Sequence, residues 1–335
     1  MKVYLCLYVD DMVFVHNNGK LMNYVYGQLT AKYNFSSRGP LEFYLGLAVN
    51  HEKDGSITLS QTAYIDRVLE RFGIEDTNCT HIDTPMVSGP AGRLSQKDCP
   101  STQEELDRSR KRPYAEGVGA LQWMVGTTRP DIGYAVSAVS RYMSNHGDKH
   151  WSAVIRILKY LKNTRTQVLR FRRNPNASGH LVLMCYCDAD WASEEDGRRS
   201  QGGYICSING SAVAIRSMRQ KIVTLSSMES EYVSAGEAAK EIVWFRPLLK
   251  EMGYPQPGPT VIWEDNRAAI CLSEGPTSHN RTKHIDVRHH WLRQLVNDEI
   301  IKLHAIKTQD QQADILTKNT DRSLFIKLRD RIINS

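Results

Sequence analysis

What the chain is short of narrows its class before any motif is read. No C-x-x-C pair occurs among its seven cysteines, and the closest two, Cys185 and Cys187, lie two apart in an apolar run. In a strand that spacing puts both on one face. It offers neither a zinc site nor a disulfide framework, so reduced thiols inside a cell are the expectation. The apolar N-terminal stretch, residues 1–9, meets Asp10 and Asp11, too short for a membrane span and without the shape of a signal peptide. No internal repeat is visible. The charge imbalance is small: +6 over 335 residues, with a pI near 8.8, which suits a polyanionic partner without requiring one. A hydrophobic content of 41% with 24% charged residues excludes a disordered chain and leaves a soluble globular one with room for two or three domains.

Hydrophobic periodicity divides the chain into four parts. Residues 1–85 read as strand, acidic turn, strand, helix and further strands. Residues 3–9 and 12–16 flank an Asp10-Asp11 turn, residues 21–33 form a helix, and residues 41–50 and 56–59 form a hairpin around Asp54-Gly55. An amphipathic helix over residues 61–72 is stopped by Gly73. Residues 86–113 turn polar and rich in Gly, Pro and Ser, the composition of a linker or surface insertion. Residues 114–175 carry three helical stripes: 114–127, 132–143 after Arg129-Pro130, and 149–162. Residues 176–335 alternate strands and helices. They include a hairpin across Asn209-Gly210, a strand at 221–225 extending that sheet, and a long helix from Ser226 to about Arg246 that Pro247 kinks or ends.

Within that last part, four acids stand where metal ligands would. Asp188 closes the apolar run 181–187, Asp265 closes the run 261–263, Glu231 lies in the first turns of the long helix, and Asp314 sits in a short helical stretch. An acid at the end of a buried strand is costly unless it is paired or coordinates a cation. Four converging would hold two divalent ions and a phosphodiester. Each has a plainer rival. Ser226-x-x-Glu229 is a capping box, which gives Glu229 a structural role and leaves Glu231 as the ligand. Asp190 shares the face of Asp188 if the strand runs on, Asp265 could cap the helix that follows it, and Asp314 could be a solvated helix position.

The segments around these acids carry a family resemblance. Cys187-Asp188-Ala189-Asp190-Trp191-Ala192, Ser226-Ser227-Met228-Glu229-Ser230-Glu231-Tyr232, Asp265-Asn266, Arg281-Thr282-Lys283-His284-Ile285 and Ala313-Asp314-Ile315-Leu316-Thr317-Lys318 resemble the ribonuclease H domain of copia-type LTR retrotransposon Pol polyproteins. Tyr8-Val9-Asp10-Asp11 resembles the reverse-transcriptase catalytic hairpin of the same polyproteins. Phe43-Tyr44-Leu45-Gly46 resembles their primer grip, and Thr128-Arg129-Pro130-Asp131-Ile132 with His150-Trp151 their thumb and connection.

The resemblance implies an α/β (α+β) chain in which a ribonuclease H-like mixed five-stranded sheet with flanking helices follows an incomplete palm and a helical thumb/connection region. It implies two Mg²⁺ ions, with Mn²⁺ as a substitute, on Asp188, Glu231, Asp265 and Asp314. One ion would activate water and the other stabilise the leaving 3′ oxygen. The substrate would be the RNA strand of an RNA–DNA hybrid, with phosphate contacts from Arg281, Lys283 and Arg288. The rest of the Pol polyprotein is the implied partner, with no membrane and no small-molecule cofactor. The implied location is intracellular, in cytoplasmic particles or the nucleus.

Two departures qualify it. No histidine-bearing loop precedes Asp314; His304 reads as a strand residue, and His279, His284, His289 and His290 have no compact metal spacing. The chain begins nine residues before Asp10, so a third palm carboxylate and the fingers are expected to lie outside it. Asp10 and Asp11 then hold a cation only weakly, and this polypeptide alone is not expected to polymerise. The competing expectation is a non-catalytic nucleic-acid-binding remnant. An integrase-like nuclease is disfavoured because its last ligand would be Glu where Asp314 stands.

Overall fold

The first two strands, β1 (Val3–Tyr8) and β2 (Asp11–His16), pair antiparallel with Tyr8 opposite Asp11. The connecting turn is therefore Val9-Asp10 rather than Asp10-Asp11, and Asp11 belongs to the second strand. Closing so tight a loop forces Val9 to φ 51°, a costly conformation for a β-branched residue. Helix α1 (Gly19–Thr30) follows, its N-cap Asn18 accepting from the Leu21 amide. The computed structural model describes residues 1–74, 81–173, 180–274 and 283–333, with side chains from residue 290 onward in the last stretch.

The single strand expected over residues 41–50 is broken. Leu45 and Gly46 both adopt positive φ, 50° and 79°, and fold it into β3 (Phe43–Tyr44) and β4 (Leu47–His51). The expected Asp54-Gly55 turn leads into β5 (Ile57–Ser60), and a late strand, β6 (Leu169–Phe171), completes this four-stranded sheet in the order β3-β4-β5-β6. Helix α2 (Thr62–Arg71) buries Ile65, Val68 and Leu69.

Residues 86–113 hold two short 3-10 turns and α3 (Gln103–Arg110), which starts with a Thr102/Glu105 capping box. Then come α4 (Tyr114–Val125), α5 (Gly133–Ser140) and α6 (Asp148–Asn163). The Arg129-Pro130 break between α4 and α5 is built around a buried ion pair. Arg129 donates from Nε and Nη2 to the two carboxylate oxygens of Asp131 at 2.9 and 2.7 Å, and reaches the Thr164 carbonyl at 3.0 Å. The Tyr160 hydroxyl donates to the same carboxylate at 2.6 Å.

The last part folds into β7 (Leu183–Asp190), β8 (Gln201–Ile208), β9 (Ser211–Arg219), α7 (Ser227–Glu251), β10 (Thr260–Glu264), α8 (Arg267–Glu274), α9 (Lys283–Asn297), β11 (Ile301–Ala305) and α10 (Arg322–Ile332). The strands form one mixed five-stranded sheet in the order β11-β10-β7-β8-β9. The β7-β8-β9 portion is antiparallel, while β10 lies parallel to both β7 and β11. This is the expected sheet.

Two corrections apply. Residues 221–225 are not a strand but a loop, which accepts a hydrogen bond from the Trp191 indole at the Thr224 carbonyl. Helix α7 also runs through Pro247 to Glu251: one lost backbone hydrogen bond does not end a helix whose next turn is anchored by buried Leu249.

The sheet is buried on both faces. Tyr204 and Cys206 of β8 pack with Tyr232, Ala235, Ala239 and Ile242 of α7 in one core, whereas Ile205 packs with Val139, Leu158, Leu316 and Phe325 in the other. Strict alternation along one strand thus feeds two cores. On the α7 side Cys185 and Cys206 stand directly opposite one another, 4.1 Å apart at Cα, and are joined as a disulfide. The expectation of reduced thiols fails for this pair. Register, not sequence spacing, brought the two sulfurs together across 21 residues.

Candidate metal centre

Asp188 is reached by following β7. The strand runs on to Asp190, so the two acids share a face, but Asp188 is 2% exposed while Asp190 is half-buried nearer the end. Glu231 comes from the start of α7. There Ser226 accepts from the Glu229 amide, and the Glu229 carboxylate turns back to the amide of Leu225 at 2.7 Å. Glu229 is thus occupied by capping, one residue further out than a standard capping box, and Glu231 faces inward, 6% exposed. At the end of β10 it is Asn266, not Asp265, that caps α8, accepting from Ala268 and Ala269. Asp265 is left without a capping role.

The three side chains converge. Asp188, Glu231 and Asp265 each offer a carboxylate oxygen within 4.8 Å of the others, a spacing that one divalent cation can bridge. Asp314, in the 3-10 turn Gln312–Leu316, joins through a cation: Lys318 lies 2.8 Å from Asp314 and 4.0 Å from Asp188. The Thr317 hydroxyl donates to Asp188 Oδ2. Gly203, paired with Asp188 across the strands, makes this approach possible. A Cβ there would stand 2.7 Å from Leu316 Cβ and 3.1 Å from Thr317 Cγ2.

So many buried acids cannot all be ionised together. Burial, reinforced by Glu264, Asp188 and Asp265, pushes the Glu231 carboxyl up to about 11. Burial and then Asp188 push Asp314 to about 7, and burial raises Asp188 against the pull of Lys318. For Lys318 burial works against the ammonium, yet Asp188 and Asp314 outweigh it and hold its pKa above the ordinary value. One oxygen, Glu231 Oε2, is buried with no hydrogen-bond partner. An orphaned carboxylate oxygen inside an excess of acid fits a divalent cation, which would supply both the missing partner and the missing charge.

Three contributors escaped the sequence reading. Glu264 is fully buried: its Oε1 accepts from the Asn266 amide at 2.9 Å and its Oε2 from the Cys187 thiol at 3.2 Å. Burial raises its pKa to about 8. The alternation Thr260, Ile262, Glu264 on the inward face of β10 was the available signal. Gly202-Gly203 inside a strand signals a close backbone approach. Gln311, also fully buried, carried no signal beyond its distance from Asp314.

The remaining expected site residues lie elsewhere. Asp10 and Asp11 are exposed on the β1–β2 hairpin, and among the described residues no third acid joins them. Arg281 lies outside the described residues, as do the side chains of Lys283 and Arg288 and those of His279, His284 and His289. His304 is a residue of β11, set edge-on to the Trp263 ring. Among the described residues no helix is long and apolar enough to cross a membrane.

Comparison with known proteins gives these shapes a context. Residues 1–88 match the family model of the reverse transcriptase (RNA-dependent DNA polymerase). A retrovirus-related Pol polyprotein from transposon TNT 1-94 of Nicotiana tabacum is 40% identical over 324 residues, 96% of this chain but 24% of the polyprotein. The chain thus spans about a quarter of that relative's length. The putative transposon Ty5-1 protein YCL074W of Saccharomyces cerevisiae is 31% identical over 72% of this chain and 74% of its own length. Among solved structures, LC11-RNase H1 matches 43% of the chain at 14% identity with a TM-score of 0.32. A foamy viral protease-reverse transcriptase solved with double-stranded DNA matches 91% at 14% identity with a TM-score of 0.48.

Proposed function

Since the chain belongs to the copia-type retrovirus-related Pol polyproteins of transposons, we propose that its C-terminal sheet is a ribonuclease H that hydrolyses the RNA strand of RNA–DNA hybrids. The observation that supports this reading best is the convergence of Asp188, Glu231 and Asp265 within 4.8 Å, with Asp314 linked to them by Lys318. We assign residues 1–85 to part of the polymerase palm, 86–113 to a connecting insertion, 114–175 to the thumb and connection, and 176–335 to the nuclease.

In this reading Asp188, Glu231, Asp265 and Asp314 hold two Mg²⁺ ions, or Mn²⁺ in their place. Divalent ions so held supply a Lewis acid on the scissile phosphate and a water of lowered pKa. The chain's own part is to fix the acids. Thr317 orients Asp188, Asn266 frees Asp265 from capping, and Glu229 takes the capping duty from Glu231. Lys318 offsets charge between Asp188 and Asp314. Arg281, Lys283 and Arg288 are assigned to the phosphates flanking the cut. Asp10 and Asp11 are assigned to a polymerase site that needs a further acid.

The test is cleavage of a labelled RNA–DNA hybrid by the purified chain with Mg²⁺ or Mn²⁺, beside an Asp265→Asn variant. Cuts confined to the RNA strand are expected, with a loss on the order of 100-fold or more in the variant, since even removing a group behind a ligand costs 10–100-fold. Folded protein that binds the hybrid but never cuts it would replace this reading with the nucleic-acid-binding remnant.

A further inference from the structure

Glu231 rides on α7, and three separate pieces of backbone carry the other acids: the end of β7, the end of β10 and the 3-10 turn Gln312–Leu316. Parallel pairing between β7 and β10 covers Met184 to Tyr186 and Val261 to Trp263 and goes no further. Asp188 and Asp265 both lie beyond the last paired residues, where nothing in the ladder fixes their separation.

One side chain spans that gap. Gln311 is fully buried, and its Nε2 donates to the Cys187 carbonyl at 2.8 Å and to the Trp263 carbonyl at 3.2 Å. These carbonyls belong to the residue before Asp188 and to the second residue before Asp265. Its Oε1 accepts from the Ala313 amide at 3.2 Å, the residue before Asp314. Both polar atoms of the amide are thus engaged, in three hydrogen bonds to backbone one or two residues from Asp188, Asp265 and Asp314. Glu264 links the same two strand ends through the Cys187 thiol and the Asn266 amide, but neither bond reaches the third element.

We propose that Gln311 is a positioning residue of the metal centre, its amide locking together the three backbone segments that present Asp188, Asp265 and Asp314. The inference rests on the proposed function, because it gives the locked geometry a purpose: carboxylates of different segments must be held at cation-bridging distance against their mutual repulsion. A glutamine suits this duty because it adds two donors and an acceptor without adding charge to a site already rich in acid. Groups that orient metal ligands from behind typically change metal affinity by about 10- to 100-fold when removed.

The test is Mn²⁺ binding to the full chain, followed by the electron paramagnetic resonance signal of free Mn²⁺, for wild type, Gln311→Met and Gln311→Asn. Methionine keeps the volume and removes the amide; asparagine keeps the amide and withdraws it from the strand ends. Circular dichroism and thermal unfolding without metal establish that each variant folds. The expected result is a dissociation constant raised about 10- to 100-fold in a folded variant, with cleavage restored at high Mn²⁺ and KM for the hybrid unchanged. Wild-type affinity in a folded variant would overturn the inference and leave the proposed function standing. No Mn²⁺ binding by the wild type would bring down the proposed function itself. If neither variant folds, Gln311 serves the fold as a whole and the inference is also overturned.

Discussion

Gly203 shows how much a single missing side chain can decide. It lies opposite Asp188, and its bare Cα lets Leu316 and Thr317 press onto the sheet, which carries Asp314 and Lys318 to the other acids. It is not among the glycines with positive φ, so the constraint is space and not backbone conformation. Gly203→Ala is expected to push that turn outward at a cost of about 1–3 kcal/mol, as overpacking does. Denaturant unfolding would read the stability and Mn²⁺ titration the site; an alanine variant with wild-type affinity would show that the turn can shift freely. At this scale the sequence was generous with the acids and sparing with their supports. Asp188 and Asp265 were legible because a carboxylate at the end of an apolar run is physically anomalous, and Glu231 because the capping motif at Ser226 and Glu229 left it without a structural role. Gln311 and Glu264 were not, since the reason for each lies in atoms far off in the chain: Cys187 and Trp263 for Gln311, and Cys187 for Glu264.

Among the elements, strongly periodic helices and the glycine-bearing turns at Asp54-Gly55 and Asn209-Gly210 were legible, whereas turns without such a signal were not. Helix α6 was expected over 149–162 and runs Asp148–Asn163, because its apolar stripe continues without interruption. The break at Leu45-Gly46 and the Val9-Asp10 turn depend on positive φ in a Leu and a Val, which local preference argues against and only tertiary context enforces. The junction between α4 and α5 has a different dependence. Arg129 is wholly buried, and Asp131 is its charge partner as well as the acceptor for Tyr160. Asp131→Asn would keep the shape and strand the guanidinium, so a loss of about 3–5 kcal/mol is expected in denaturant unfolding. A loss below about 1 kcal/mol would mean that Thr164 and water suffice for Arg129.

For the molecule as a whole, the acid cluster sets how stability responds to pH. A carboxyl whose folded pKa is raised binds more protons folded than unfolded. The stability it contributes is therefore complete below the unfolded range, about 4 to 4.5, and is lost as pH rises through the folded value. That value is about 7 for Asp314, about 8 for Glu264 and about 11 for Glu231. His146 and His150, lowered by burial, act with the opposite sign and chiefly below about pH 6.5. Between about pH 7 and 9 the acids should prevail, and the Tm of protein kept in a chelator should fall. Millimolar Mg²⁺ should flatten that slope, because a ligand that binds only the folded state stabilises it most where protons no longer do. Scanning calorimetry with chelator and with Mg²⁺ checks both; a Tm that rises with pH in chelator would remove the cluster from the account.

The five-stranded sheet has one further consequence. The face opposite α7 is covered by side chains from before residue 173, among them Val139 and Leu158, which share a core with Ile205, Ala212 and Phe325. The two halves of the chain are in this sense one folded object, joined by solvation and shape as much as by covalent continuity. Severing the backbone between Arg173 and His180 would leave two complementary fragments with every reason to remain together. The half after residue 180, made alone, would present that face to water as an adhesive surface.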